Sequence, residues 1–254
     1  MSFLELTRPE HAYLFGFLQC DGHLSENTRN RGRLSVEISF RDVALLERFQ
    51  LLVPYPTSIT TRTRSTNFAT LHKSAIWTVG ALEARSALIQ LGLPAGRKSH
   101  FIRPPSVRFS ASDYLRGLVD ADGSVGVTSR QLPFVSFATA SESLQDFFLS
   151  QCHDLPGQPR HVARNRRDNV FNPMATRECA VELIGRIYYR NCLTLERKVR
   201  AARQAMSWTR EPIGQLEFPF GRTRRGTRHA REEIEVRIRQ RTASLRSALT
   251  TPCS

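Results

Sequence analysis

The sequence predicts an α+β fold of two pseudo-symmetric αββαββα units, with antiparallel saddle-shaped sheets and one helix from each unit packed together at the centre. Three observations carry that prediction. The segment Leu14-Phe15-Gly16-Phe17-Leu18-Gln19-Cys20-Asp21-Gly22 returns roughly one hundred positions later as Leu115-Arg116-Gly117-Leu118-Val119-Asp120-Ala121-Asp122-Gly123. Between Arg33 and Arg41 the chain alternates strictly, with Leu34, Val36, Ile38 and Phe40 on one face and Arg33, Ser35, Glu37, Ser39 and Arg41 on the other, the period of a half-buried strand. The same succession of helical and alternating stretches then follows each copy of the repeat.

Taken in order, Thr7-Arg8-Pro9-Glu10 has the form of a capping box, with proline early in the first turn where a missing N–H costs little, and Ser110-Ala111-Ser112-Asp113 offers an analogous start before the second copy. Gly22 and Gly123 are expected to end these helices in the left-handed conformation that side chains resist. Leu24 to Arg31 reads as a strand and turn leading into the alternating strand. Asp42 then caps a helix carrying Val43, Leu45, Leu46, Phe49 and Leu52, and Ser141 does the same for Leu144, Phe147, Phe148 and Cys152. A Thr/Arg-rich hairpin runs from Ile59 through Arg62 and Arg64 to Trp77, with an Arg-rich counterpart from Arg160 through Arg164, Arg166 and Arg167 to Arg177. These complete a concave four-stranded saddle in each half. A third helix closes each unit, Ala81 to Leu91 and about Ala180 to Arg190. The divisions are therefore an N-terminal unit at 1–93, a proline- and glycine-containing linker at 94–108, a C-terminal unit at 109–206, and a basic extension at 207–254 that can track phosphates but reads first as solvated chain.

The repeated helices carry the chemistry. Gly16 and Cys20, like Gly117 and Ala121, lie four apart on one face and form a small-residue seam along which two backbones can approach. An interior helical glycine costs about 1 kcal/mol relative to alanine, which implies a packing reason for both. The seam sets Asp21 beside Asp122, each at the partially negative end of its own helix. At about 5 Å and an effective dielectric of about 20, their repulsion is roughly 3 kcal/mol. A divalent cation reverses both penalties. Hard oxygen ligands and phosphate chemistry point to Mg²⁺, with the helix-end backbone carbonyls of Cys20 and Ala121 as further ligands. Mn²⁺ is expected to substitute, and Ca²⁺ to bind without supporting efficient chemistry at the phosphate.

Composition names the partner. The 254 residues carry 37 Lys and Arg against 23 Asp and Glu, a net charge of +14, and the excess is mainly arginine, which suits phosphate contact and reading of guanine. An antiparallel ribbon fits the major groove, so the polar strand and hairpin positions are the expected DNA contacts: Ser25, Asn27, Arg29, Arg33, Ser35, Glu37, Ser39, Arg41, Arg62 and Arg64 in the first half, and Thr128, Arg130, Ser136, Arg160, Arg164, Arg166 and Arg177 in the second. Five cysteines without a C-x-x-C pair indicate neither a disulfide framework nor a zinc site, and the seven histidines form no ligand pattern. Without an apolar run of membrane-spanning length or a signal peptide, the expectation is a soluble intracellular protein of the cytoplasm, nucleoid or an organelle matrix.

The two nine-residue segments resemble the motif of the LAGLIDADG homing endonucleases in their single-chain, two-motif form. The second departs from the consensus only at Arg116 and Val119, whereas the first keeps the leucine, the central glycine and the terminal Asp-Gly. The resemblance covers roughly residues 7 to 205 and implies the αββαββα fold. It also implies a catalytic lysine beside each scissile phosphate. Lys98 and Lys198 follow Asp21 and Asp122 at the same distance to within one residue, with Arg97 and Arg197 as competitors, and Asp42 and Ser141 fall at a polar position often near the reacting water, where they serve equally as caps. The implied activity is a site-specific, Mg²⁺-dependent endonuclease, monomeric, that cuts each strand of a long asymmetric duplex using Asp21, Asp122, Lys98 and Lys198. Alternatives on the same scaffold are an RNA-binding intron maturase and a DNA-binding regulator that does not cut. Retention of both acids and both lysines favours cleavage, and the absence of a C-terminal His-Asn junction disfavours an intein.

Overall fold

A computed structural model describes residues 3–26, 32–66, 69–157, 159, 165 and 168–210. The order is α1 (Pro9–Asp21), β1 (Gly22–Leu24), β2 (Leu34–Ser39), α2 (Val43–Leu52), β3 (Thr57–Thr66), β4 (Ala69–Val79), α3 (Leu82–Gln90), α4 (Ala111–Asp122), β5 (Gly123–Val127), β6 (Pro133–Phe137), α5 (Glu142–Ser150), β7 (Met174–Thr176), α6 (Arg177–Ile187) and α7 (Glu196–Met206). The first half is thus αββαββα, with its antiparallel strands in the order β1-β2-β4-β3. In the second half the described strands form an antiparallel sheet β5-β6-β7, and most of the predicted Arg-rich hairpin, including Arg160, Arg164 and Arg166, lies outside the described residues. The same holds for Asn27, Arg29 and residues 211–254 of the basic extension.

The repeated helices α1 and α4 pack against each other at the centre. His11 to Gln19 and Asp113 to Asp120 are buried without interruption, so each helix is enclosed on every side. Around them lies one core to which both halves contribute. Phe49 joins Phe17 and Trp77 at ring separations of 5.4 and 5.7 Å, while Phe109, Tyr114 and Phe147 meet at 5.2 to 5.9 Å. Aromatic pairs of this kind add to the area they bury.

Several local expectations are corrected. Residue Arg8, not Thr7, precedes α1, and no side chain caps it; Pro9 fills the first position, and the Thr7 hydroxyl instead donates to the Glu5 carboxylate at 2.9 Å. At α4 the Ser110 hydroxyl donates to Asp113 Oδ2 at 2.5 Å rather than accepting from the helix. Neither Gly22 (φ −73°, ψ 135°) nor Gly123 (φ −110°, ψ −175°) is left-handed, because each helix runs directly into a strand. Their glycines answer a lack of room: a Cβ on Gly123 would stand 2.6 Å from the Ser136 carbonyl oxygen and 2.8 Å from Val119 Cα. Strand β2 stops at Ser39, and Phe40–Asp42 form one 3₁₀ turn that removes Arg41 from the strand face. Helix α6 begins at Arg177 rather than near Ala180, so Arg177 sits exposed at a helix start with φ +56° instead of on a strand.

The hairpin β3–β4 is longer than its neighbour. Strand β2 pairs with β4 only as far as Ser39–Ser74, whereas β3 and β4 continue to Thr66–Ala69. At about 3.4 Å per residue the two-stranded arm reaches well past the core. Arg62, Thr63, Arg64, Ser65 and Lys73 on it are exposed. The segment 94–108 is pinned to both halves: Gly96 N–H donates to the Leu24 carbonyl at 2.9 Å, and the Ser141 hydroxyl donates to the Ile102 carbonyl at 2.5 Å. Among the described residues no helix is long and apolar enough to cross a membrane.

Candidate active site between the motif helices

The seam is built as the small residues require. A Cβ on Gly16 would overlap the Tyr114 carbonyl oxygen, and one on Gly117 would overlap that of Tyr13 while lying 2.9 Å from the Phe17 nitrogen. Tyr13 and Tyr114 each stand three residues before the central glycine of their own helix, so the contact obeys an internal two-fold relation. This close approach sets the two C-terminal ends side by side.

At those ends Asp21 and Asp122 remain exposed, yet each carboxylate is crowded by protein and Asp21 feels the charge of Asp122. Partial burial first, and then the Asp122 charge, raise the Asp21 carboxyl to about 6, against the pull of Lys98, Lys198 and Arg197. Burial also raises Asp122, opposed by a hydrogen bond from the Cys20 thiol and by the charges of both lysines. Carboxylates that resist ionisation beside one another attract a cation. Among the described residues no group of three or more His, Cys, Asp or Glu side chains could hold a metal ion alone. A hard divalent ion held by only one or two carboxylates fills the rest of its shell with water and substrate phosphate. The backbone carbonyls of Cys20 and Ala121 sit one residue before the acids and are not among those the lysines take.

Lys98 and Lys198 are both buried and both close a motif helix. Lys98 Nζ donates to the Leu18 carbonyl at 2.7 Å and to that of Gly22. Lys198 Nζ donates to the carbonyls of Val119, Asp120 and Gly123 at 2.5, 2.7 and 3.0 Å. They satisfy helix-end acceptors that lack intrahelical partners and place a positive charge at the negative pole. Burial lowers each to about 8 despite the neighbouring acids. An ammonium has three donors. Lys198 spends all three on main chain, whereas Lys98 spends two and retains one.

Sequence reasoning missed the residue two before each acid. Asp120 is buried and accepts from Tyr13 Oη at 2.7 Å and from Tyr188 Oη, Thr194 Oγ1 and Leu195 N at 2.8 Å each. Gln19 occupies the matching place in α1, accepting from Tyr114 Oη and donating to the Gly92 and Arg103 carbonyls at 3.3 and 3.0 Å. Each therefore ties its helix to the tyrosine of the other and to the segment following the third helix of its own half. The signal lay in Tyr13 and Tyr114, which extend the repeat by one more matched position. The departure at Arg116 has a structural cause as well. This fully buried side chain pairs with Asp113 at 2.6 Å, donates to the carbonyls of Leu193 and Ile187 at 2.8 Å each, and faces the rings of Tyr13 and Tyr189.

The predicted DNA contacts separate into groups. Arg33, Arg41, Arg62, Arg64 and Arg130 are exposed, Ser35, Ser39 and Thr128 are half-buried, and Ser25 accepts from the Arg33 N–H at 2.8 Å. Glu37 is exposed but occupied, taking Ser74 Oγ at 2.6 Å and Arg64 at 3.2 Å. Thr128 Oγ1 accepts from Leu132 N and closes the β5–β6 turn. Ser136 is a correction: it is buried in β6, the middle strand of the three, between Ser124 of β5 and Met174 of β7. Asp42 and Ser141 also part company. Ser141 caps α5, accepting from Leu144 N at 3.2 Å, whereas Asp42 makes no cap bond and pairs with Arg197 at 3.1 Å.

With this geometry in place, residues 111–150 match the family model of the LAGLIDADG-like domain. The fold resembles the homing endonuclease I-WcaI bound to its DNA recognition sequence, with a TM-score of 0.53 and 12% identity over 78% of this chain and 87% of that one. Further matches are the N-terminal LAGLIDADG domain of DUF199/WhiA (TM-score 0.48, 14% identity, 79% and 92% coverage) and I-SmaMI bound to uncleaved DNA target in the presence of calcium ions (0.45, 14%, 79% and 99%). No curated protein matches the sequence. Residues 111–150 thus match the LAGLIDADG-like domain, and the chain shares the fold of the LAGLIDADG proteins. It does so in one chain with two motif helices, α1 and α4.

Proposed function

We propose that the chain is a site-specific, homing-type double-stranded DNA endonuclease that uses Mg²⁺ to hydrolyse one phosphodiester on each strand of a long, asymmetric target. The observation that supports it most is the pair of crowded carboxylates, Asp21 and Asp122, at the joined ends of two helices, each flanked by a buried lysine. Its units, 1–93 and 109–206 joined through 94–108, act together as a monomer, and their unlike surfaces demand an unlike half-site for each.

Asp21 and Asp122, with the Cys20 and Ala121 carbonyls, would hold the metal. Bound there, it supplies a nucleophile at neutral pH and stabilises charge on the phosphate. The protein's own part is positioning. The glycine seam fixes the acids, Lys98 and Lys198 hold the helix ends and offset the negative charge, and the one unspent donor of Lys98 can reach a phosphate oxygen. The exposed arginines of the β3–β4 arm bind backbone and base edges. A DNA-binding protein that does not cut is the second reading, favoured by one observation: every donor of Lys198 is used structurally.

The test is to select cleaved sites from a randomised duplex library in Mg²⁺, then assay Asp21→Asn and Asp122→Asn on the selected target. Each variant should lose double-strand cleavage while retaining binding in Ca²⁺. Wild-type cutting by either variant refutes the assignment, and binding without a cut under every divalent ion moves the chain to the second reading.

A further inference from the structure

The two halves treat equivalent residues differently. Asp42, on the first half, reaches across to Arg197 at the start of α7 in the second, with Oδ2 3.1 Å from Nε, and the Asp42 side chain is only 10% exposed. In the matching place on the second half, Ser141 has its hydroxyl committed to the Ile102 carbonyl and Leu144 N–H, and Arg97 has no hydrogen bond or ion pair among the described residues. Arg197 is also next to Lys198, whose ammonium lies on the end of α4, so the ion pair holds a guanidinium beside the joined helix ends. Arg197 is close enough to the acids to help lower the Asp21 carboxyl against its burial and to act on Lys198.

We propose that Asp42 is a positioning residue that fixes Arg197 beside the joined helix ends, across the boundary between the halves, so that the two strand-cutting centres are unlike. This rests on the endonuclease reading. Arg197 is exposed too, but a guanidinium already paired can meet an equatorial phosphate oxygen with a forked pair of donors at a smaller ordering cost than the unpaired Arg97. One scissile phosphate thus meets a prepared arginine, and the other does not. Asp42 touches no reacting atom and acts only through Arg197.

Strand-resolved cleavage of a selected duplex, labelled separately at each 5′ end, tests this. Arg197→Ala should slow one strand on the order of 100-fold, the loss expected when a donor to the developing charge is removed, and leave the other close to wild type. Asp42→Ala should slow the same strand, the double variant should be no slower than Arg197→Ala alone, and Asp42→Asn, whose amide oxygen can still accept from Nε, should fall between. Arg97→Ala should not produce a matching loss on the opposite strand. Equal slowing of both strands by Asp42→Ala, or additive losses in the double variant, overturns the positioning role while leaving the nuclease intact. Failure of the wild-type chain to nick either strand overturns the endonuclease reading and this one with it.

Discussion

Asp21 sets how the molecule should respond to pH. Its carboxyl stands at about 6 in the fold against an ordinary value of 3.8, so in that interval the unfolded chain has released a proton that the folded chain retains. The stability that this group contributes is full below the ordinary value and is lost as pH rises through about 6. A divalent cation bound by the acids reverses that loss. Thermal melting with Mg²⁺ should therefore show a clear rise over an EDTA control at about pH 7.5 and little at about pH 5, where protons compete for the same oxygens. An equal rise at both values would place the cation elsewhere. Asp21 and Asp122 were legible because a repeated Asp-Gly ends two similar helical runs. Asp120 was not, since its four donors come from Tyr13, Tyr188, Thr194 and Leu195, which no local pattern brings together.

At the level of elements, α1 and α4 depend on each other more than on their own sequences. Helix propensity alone says that Gly117→Ala stabilises by about 1 kcal/mol. The tertiary contact reverses the sign, because the added carbon would overlap the Tyr13 carbonyl and crowd the Phe17 nitrogen, both main-chain atoms that cannot turn aside. Overpacking of this kind costs about 1–3 kcal/mol, and urea unfolding of Gly117→Ala should show a loss in that range. A gain would mean that the helices do not meet at this seam. The alternating strand was read correctly over Leu34 to Ser39, with Leu34 and Val36 buried and Glu37 exposed. It failed at Phe40, where a 3₁₀ turn intervenes and the ring meets Lys73 at 3.6 Å.

For the whole molecule, the consequence of a shared centre is that neither half carries a complete core. Helix α1 is buried over nine successive residues, and much of that cover comes from α4. A fragment of residues 1–93 would expose the Gly16 face and is expected to be either unfolded by circular dichroism or dimeric by sedimentation, the dimer replacing α4 with a second α1. A folded monomer would contradict the packing.

The sequence by itself determined that the chain is a duplication, that each copy presents an acid at a helix end, that its net charge suits a polyanion, and that helices and strands of the first half follow in the order observed. Those properties are written in periodicity, spacing and net charge, which act locally or add over the chain. Only the tertiary structure decided that the lysines close the motif helices, that Ser136 is enclosed in the middle strand of its sheet, that Arg116 is anchored to the Ile187 and Leu193 carbonyls, and that Asp42 crosses to Arg197 while Ser141 reaches back to Ile102. In each case the deciding neighbour is dozens of residues away, and it is chosen by which donors and volumes remain unmatched once the two halves have closed on a common core.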